Sequence, residues 1–600
     1  MEPILTVPAR EPPRPRTESS GTGDRGLSGI IAAAFHLHMD KSRTRIGFVM
    51  LAFLGVFSAI AAQLVNFAVR ADPVGTVRHS ASMEIAAVRP NIVDRNGALL
   101  ATDITVPSLY AEPRNLVDVD EAVELINATF PDLDARELYE KLSSNKGFVW
   151  IKREITPEQQ AQVHRLGIPG IGFLSEQKRV YPNGPEAAHV LGFANIDNVG
   201  IAGMEKFIDS LGLRDLSGAG FTFNPADLKP VQLSLDLRVQ HVLRDELQKA
   251  ISKFKAKAAA GMVYDVTTGE VVALTSLPDF DPNNPVEALR DDRINRICVG
   301  TYEMGSTFKA LTLAMALDSG RFTINDTFDA RNNLQYGRFS IGDYHGTHRV
   351  LTMPEVFVHS SNIGVARMAV GVGVEAHKAF LKKMGQLDRM VTELPESAPP
   401  QIPSRWGELN SVTISYGHGL AVTPLQAVAA VGALVNGGRL IHPTFLKRSA
   451  DDAAKDAPQV ISDTTSEAMR YVMRLNAVKG SAARAAINGF YVGGKTGSAE
   501  KVVNGKYSDS RLFNTFMAIA PADRPKYLFL VTLDEPQGLP ETHGYATAGW
   551  TAAPVAGAMI ERAAPLLGLP PMFEPPVNPF PQIAKLKPWG LETTGSVRVD

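Results

Sequence analysis

Ser306 and Lys309 stand three residues apart, a spacing that puts both side chains on one face of a helix. A serine hydroxyl is a weak nucleophile at neutral pH and becomes effective when a nearby base takes its proton. A buried lysine of lowered pKa can be that base. Two further strings follow in order, Ser360-Ser361-Asn362 and Lys495-Thr496-Gly497-Ser498. In this chemistry the Ser360 hydroxyl passes the proton to a leaving amine, while the Asn362 amide holds a peptide group and Lys309 in place. Lys495 is expected to stay charged and to set the electrostatics of the cleft. Backbone N–H groups of Ser306 and of Ser498, the residue after Gly497, would form an oxyanion hole. The chemistry these types support is acyl transfer through a serine ester.

No one of these strings is specific by itself. Ser-x-x-Lys recurs at Ser143/Lys146, Ser175/Lys178, Ser252/Lys255 and Ser498/Lys501, and Ser143-Ser144-Asn145 mimics the second string. The ordered triple carries the signal. Lys-Thr-Gly occurs once, behind the strand-like Phe490-Tyr491-Val492. Ser306 opens a nearly all-apolar run over 307–317, stopped by Gly320, which reads as a buried helix.

The ordered triple resembles the active site of the class B penicillin-binding proteins, the bitopic peptidoglycan D,D-transpeptidases. The resemblance covers most of residues 89–556. It includes Arg89-Pro90-Asn91-Ile92-Val93-Asp94-Arg95-Asn96-Gly97, Arg179-Val180-Tyr181-Pro182, Ala188-His189-Val190-Leu191-Gly192 and Gly203-Met204-Glu205. Further matches are Thr268-Gly269-Glu270-Val271, Asp281-Pro282-Asn283, Asn295-Arg296 and Val422-Thr423-Pro424-Leu425-Gln426. Pro90 stands where the family usually has glycine, Met304 where proline commonly precedes Gly-Ser, and Ser498 where threonine is usual; none of these removes a catalytic group.

The resemblance implies an α+β fold: a transpeptidase domain like that of the serine β-lactamases, an antiparallel sheet flanked by helices, on an elongated pedestal. Its catalytic residues would be Ser306, Lys309, Ser360, Asn362 and Lys495. Thr496, Gly497 and Ser498 would bind substrate, with the Thr496 hydroxyl on the terminal carboxylate of a donor peptide. Donors would be peptidoglycan stem peptides ending in D-Ala-D-Ala, which β-lactams imitate, and no metal or organic cofactor is required. The implied partners are a membrane-embedded glycosyltransferase and other cell-division proteins. The basic cytoplasmic segment and Tyr416-Gly417-His418-Gly419-Leu420 look more like the septal enzyme than the elongation type. A β-lactamase would need a group activating water, and a β-lactam sensor would need a signalling domain; neither is identifiable in the sequence.

Elements must deliver these residues to one place and one compartment. Residues 46–62 are uncharged, and the apolar run continues past Gln63 and Asn66 to 69. As a helix, 46–69 would span roughly 36 Å, enough to cross a hydrocarbon core. Lys41, Arg43 and Arg45 precede it, which leaves the N-terminus in the cytoplasm and the rest outside an inner membrane. A cleaved signal peptide competes, but the long leader and the continuation of the run beyond Ala61 oppose it.

The expected order is a cytoplasmic tail over 1–45, a transmembrane helix over 46–69, a pedestal over 70–229, a transpeptidase domain over 230–567 and a Pro-rich tail over 568–600. Residues 233–254 read as an amphipathic helix, 259–266 and 270–275 as a hairpin, 513–520 and 527–533 as the last strands, and 119–143 as helical. A net charge of −2 over 600 residues offers nothing to nucleic acid. The single cysteine, Cys298, reads as a buried structural thiol. His345 and His348 lack companion metal ligands and read as a surface loop, Asp94-Arg95 reads as structural, and His418 either lines the cleft or packs.

Overall fold

The computed structural model describes residues 41–70, 89–212, 228–503 and 505–591. Of the tail expected over 1–45, residues 1–40 lie outside the described residues, as do 592–600 of the Pro-rich tail. The chain divides into two compact units, Met1–Met83 and Glu84–Asp600. In the first, Lys41–Arg70 is one helix. Among the described residues no helix is long and apolar enough to cross a membrane.

The second unit is built on a five-stranded antiparallel sheet. Its strands are β1 (Ala258–Asp265), β2 (Val271–Leu277), β3 (Gly493–Val503), β4 (Lys506–Ala520) and β5 (Tyr527–Asp534), in the spatial order β3-β4-β5-β1-β2. Every residue of β1 and β2 is buried, because helices cover both faces of the sheet. On one face lie α1 (Leu237–Phe254) and, near the C-terminal end, α6 (Ala552–Ala563), with Val239, Leu243, Leu247, Ala556 and Ile560 in their shared core. On the other face lie α2 (Lys309–Asp318), α3 (Asn362–Val372), α4 (Pro424–Val435) and α5 (Asp463–Lys479). All of α4 is buried, and it begins on a capping box in which Thr423 Oγ1 accepts from Gln426 N and the Gln426 side chain accepts from Thr423 N.

The pedestal hangs on the long strand Leu99–Ala111, paired antiparallel with Ile171–Val180 and with Val149–Lys152. The short strand Ile92–Val93 joins it to Val231–Gln232 in parallel, so the chain entering the catalytic domain completes the pedestal sheet. The helical stretch expected over 119–143 is two helices, Val119–Thr129 and Ala135–Leu142. Pro131 interrupts the first pattern, and Asp134 caps the second helix by accepting from Arg136 N and Glu137 N.

Three of the separated strings meet inside this unit. Glu205 accepts from Arg89 Nε at 2.8 Å and from Arg179 Nε at 2.6 Å, and Arg179 Nη1 reaches Asp103 at 3.0 Å, all buried. Asp94 organises the Asn96-Gly97 turn by accepting from Asn96 N and Ala98 N. Arg95 pairs with Glu270 at 2.9 Å, and Asn283 exchanges two 2.9 Å bonds with the Tyr181 backbone. These last contacts tie the pedestal to the catalytic domain.

The Pro-rich C-terminal segment differs from the expected loose tail. Up to residue 591 it packs on the domain: Phe580 and Ile583 are each 1 % exposed in the main core, and the Glu467 carboxylate accepts from Gln582 N and Ile583 N. Tyr471 donates to the Trp589 carbonyl, and Asn325 to the Leu586 carbonyl. Prolines preclude long helices here, yet a few spaced apolar side chains suffice to bind an extended segment to a surface groove.

Candidate active site

A cavity of about 800 Å³ opens at the edge of β3, and Ser306, Lys309, Ser360, Asn362, Thr496 and Ser498 line it. Ser306 sits in a single 3₁₀ turn, Gly305–Phe308, which runs directly into α2. That turn is held by close backbone approaches. A Cβ on Gly497 would lie 2.5 Å from the Met304 carbonyl, and one on Gly417 2.0 Å from the Gly305 carbonyl. Only glycine lets β3 and the 416–419 loop press against the nucleophile turn from two sides.

Lys309 heads α2 and is 1 % exposed. Its Nζ donates to the Ser360 carbonyl and, at 3.1 Å, to Ser360 Oγ. Lys495, also 1 % exposed, comes from β3 on the other side and donates to the same Ser360 Oγ at 3.1 Å and to the Thr496 carbonyl. The Ser360 hydroxyl therefore lies between two lysine Nζ atoms. It is held there by a left-handed backbone, φ +54°, strained for a residue with a side chain. Among the described residues nothing hydrogen-bonds the Ser306 hydroxyl, which leaves it free to attack.

Burial, then the neighbouring Lys495 charge, hold the Lys309 pKa well below the usual lysine range, against an upward pull from Asp343. Burial alone brings Lys495 down to about 7. A fully enclosed ammonium loses its hydration, so the charge expected on Lys495 is favoured by an anion that joins it in the cleft.

Asn362 lies in the cleft, its amide N–H donating to the Gly342 carbonyl at 2.9 Å, and among the described residues its amide oxygen does not accept from Lys309. Asp343 is the residue that sequence reasoning missed. It accepts from Ser361 Oγ at 2.7 Å and from Ile363 N at 3.0 Å, tying the start of α3 and the strained Ser360 turn to the 342–343 loop. No local motif marks it, since it lies about twenty residues upstream in an irregular segment. Thr496 Oγ1 is 2.6 Å from Ser481 Oγ, and Ser498 Oγ accepts from Ala548 N at 2.9 Å.

The far wall carries His418, which does line the cleft, stacked on Tyr507 with centroids 5.4 Å apart, and Glu500. Exposed His345 lies beside Tyr344 in the expected surface loop, at the rim of the cleft; His348 is exposed in the same loop. On the third side the Arg484 guanidinium lies 3.2 Å over the Trp550 ring. Cys298 is buried, its thiol pushed up to about 12 by burial, which makes it inert. Of the repeated Ser-x-x-Lys strings, Ser143 and Ser252 donate to carbonyls of their own helices, and neither hydroxyl hydrogen-bonds a lysine among the described residues.

Fold and cleft together have the form of a serine acyltransferase with a lysine base. Comparison with known proteins agrees: residues 259–561 match the penicillin binding protein transpeptidase domain and residues 84–211 the penicillin-binding protein dimerisation domain. The chain belongs to the class B penicillin-binding proteins. It is 39% identical over 494 residues to the probable peptidoglycan D,D-transpeptidase FtsI of Caulobacter vibrioides, covering 81% of this chain and 82% of that one. Against the probable peptidoglycan D,D-transpeptidase PenA of Neisseria meningitidis it is 32% identical, covering 88% and 94%. Against the peptidoglycan D,D-transpeptidase FtsI of Escherichia coli K12 it is 30% identical, covering 81% and 85%.

Proposed function

We propose that this protein is a peptidoglycan D,D-transpeptidase of the septal cell-wall machinery. The observation that carries the reading is the Ser360 hydroxyl, held at 3.1 Å from each of two buried lysines in the cleft that contains Ser306. Neutral Lys309 takes the Ser306 proton, and Ser306 attacks the carbonyl of the penultimate D-alanine of a donor stem. The N–H groups of Ser306 and Ser498 receive the oxyanion. Ser360 relays the proton to the departing D-alanine, whose carboxylate lies against Thr496 and Lys495. A stem amine then resolves the ester into a crosslink, and a β-lactam follows the first half of the path and stays on Ser306.

The uncharged run within the helix Lys41–Arg70 and its basic N-terminal flank support a single inner-membrane anchor, with the second unit outside. A membrane-embedded glycosyltransferase would supply the glycan strands. The test is labelling with a fluorescent penicillin, peptide mapping of the adduct and a crosslinking assay, with localisation of a fluorescent fusion to separate septal from elongation roles. Ser306→Ala is expected to abolish labelling while the protein stays folded; an adduct on another serine would overturn the assignment.

A further inference from the structure

The acyl half of the reaction uses the lysine wall of the cleft, and the opposite wall is chemically different. An attacking stem amine has a lysine-like pKa of about 10.4 and arrives as an ammonium. Lys495 and Arg484 repel it. It must find a negative group and lose a proton before its lone pair can attack.

Glu500 and His418 offer those two functions in the same cavity as Ser306. The Glu500 carboxylate, half-buried, takes no hydrogen bond or ion pair among the described residues. His418 is clamped between Tyr507, stacked at 17°, and the edge of Tyr416, centroids 5.4 Å away, and neither ring nitrogen takes a hydrogen bond among the described residues. Glu303, by contrast, is occupied: it accepts from Tyr507 Oη at 3.1 Å and from Gly419 N at 2.7 Å. Glu303 therefore positions the His418 ring through both of its neighbours. The groups facing His418 are Glu303 before the nucleophile turn, Glu500 on β3 and Lys309 on α2, with Tyr507 on β4. Burial lowers the imidazole pKa, the two carboxylates pull it up and Lys309 pushes it down. The net direction is down, so the ring is neutral at neutral pH and can accept a proton.

We propose that Glu500 and His418 form the acceptor subsite of the transpeptidase, Glu500 holding the incoming ammonium and His418 taking its proton. This rests on the reading given above. The ammonium gives one proton to His418, its nitrogen bonds to the acyl carbon, and the bond from that carbon to Ser306 Oγ breaks. Ser306 Oγ recovers the second amine proton through Ser360, and the imidazolium loses its proton to solvent at the cleft mouth. Nothing else is consumed.

The experiment measures two rates on the full-length protein between about pH 6 and 9: Ser306 acylation by a fluorescent penicillin, and amide formation from a D-Ala-D-Ala pentapeptide with a tetrapeptide bearing a free side-chain amine. Glu500→Gln should raise the KM for the amine at least about tenfold. His418→Phe keeps the ring stack and should lower kcat for amide formation by at least about tenfold more than it lowers acylation. It should also move the rise of that kcat with pH toward the pKa of the free amine. If His418→Phe fails to fold, His418→Gln carries the same test. Parallel loss of acylation and amide formation, or an unmoved pH profile, overturns the subsite. A wild type that acylates and then only hydrolyses overturns the transpeptidase reading itself, and the subsite with it.

Discussion

At the scale of single residues, the division of labour between Lys309 and Lys495 depends on which loses its proton first. Both are enclosed, but Lys309 also carries the repulsion of Lys495, so it deprotonates at lower pH. Acylation should then rise with pH as Lys309 becomes neutral, and fall once the Lys495 charge is lost, giving a bell. A bound penicillin carboxylate favours charged Lys495 and should push the falling limb above about 7 at saturating ligand. Rates of fluorescent penicillin acylation against pH, below and above saturation, check this. Asp343 gives a sharper form of the test. Its negative charge raises the Lys309 pKa, so Asp343→Asn should move the rising limb to lower pH, even though the loss of charge at the α3 terminus costs about 1 kcal/mol of stability. A limb that moves to higher pH would remove Asp343 from the electrostatics of the base.

Elements carry these groups into register, and the close approaches around the nucleophile turn are where they can be perturbed. Gly417 has φ +91° and touches the Gly305 carbonyl, so Gly417→Ala must displace the turn that holds Ser306. Acylation should fall on the order of 100-fold, the usual cost of misplacing a reacting group by about 1 Å. Gly337, at φ +59° with open space around it, is the control: alanine there should cost about 1 kcal/mol of stability and leave the rate alone. Undiminished acylation in the Gly417 variant would mean that the turn is not fixed by this contact.

Much of this scale was legible in the sequence. The helix expected over 233–254 is Leu237–Phe254, shortened because Asp236 caps it, and the hairpin expected over 259–275 is β1 and β2. Long apolar runs and capping residues are local signals, and so is the ordered triple. Asp343, Glu500 and Arg484 were not legible, because a charged residue reads as solvated surface until the fold turns it toward a cleft, and Trp550 was not, because a tryptophan by itself reads as core. The C-terminal segment misled for the converse reason. Its prolines are visible locally, whereas the groove that receives Phe580 and Ile583 is made by α5 and its neighbours far away in sequence.

Over the whole molecule, the outer part of the pedestal has its own core, with Leu109, Ile126, Phe130 and Leu138, whereas its base, with Ile92, Leu100, Tyr181, Met204 and Ile208, shares the main core of the catalytic domain. Inside the pedestal, Glu205 is fully buried between Arg89 and Arg179, and removing one member of such a pair strands the others. Glu205→Gln should destabilise the pedestal base by about 3–5 kcal/mol, seen as a lower midpoint in thermal unfolding. Penicillin labelling below that midpoint should persist, since Ser306, Lys309 and Lys495 stand on the turn before α2, on α2 and on β3, outside this ion network. The junction is weaker. Arg95 holds Glu270 with its side chain 21% exposed, and Asn283 contributes two hydrogen bonds to Tyr181, each worth about 1 kcal/mol. Replacing both, Arg95→Ala with Asn283→Ala, should lower the unfolding midpoint without splitting the transition, because the apolar contacts of the shared core still join the pedestal base to the catalytic domain. Acylation should keep its rate. Crosslinking in cells should drop, because a pedestal base held less firmly lets the cleft sample orientations that miss the second stem peptide. If calorimetry instead resolves two transitions, the shared core and the parallel pairing of Ile92–Val93 with Val231–Gln232 do not suffice to join the domains.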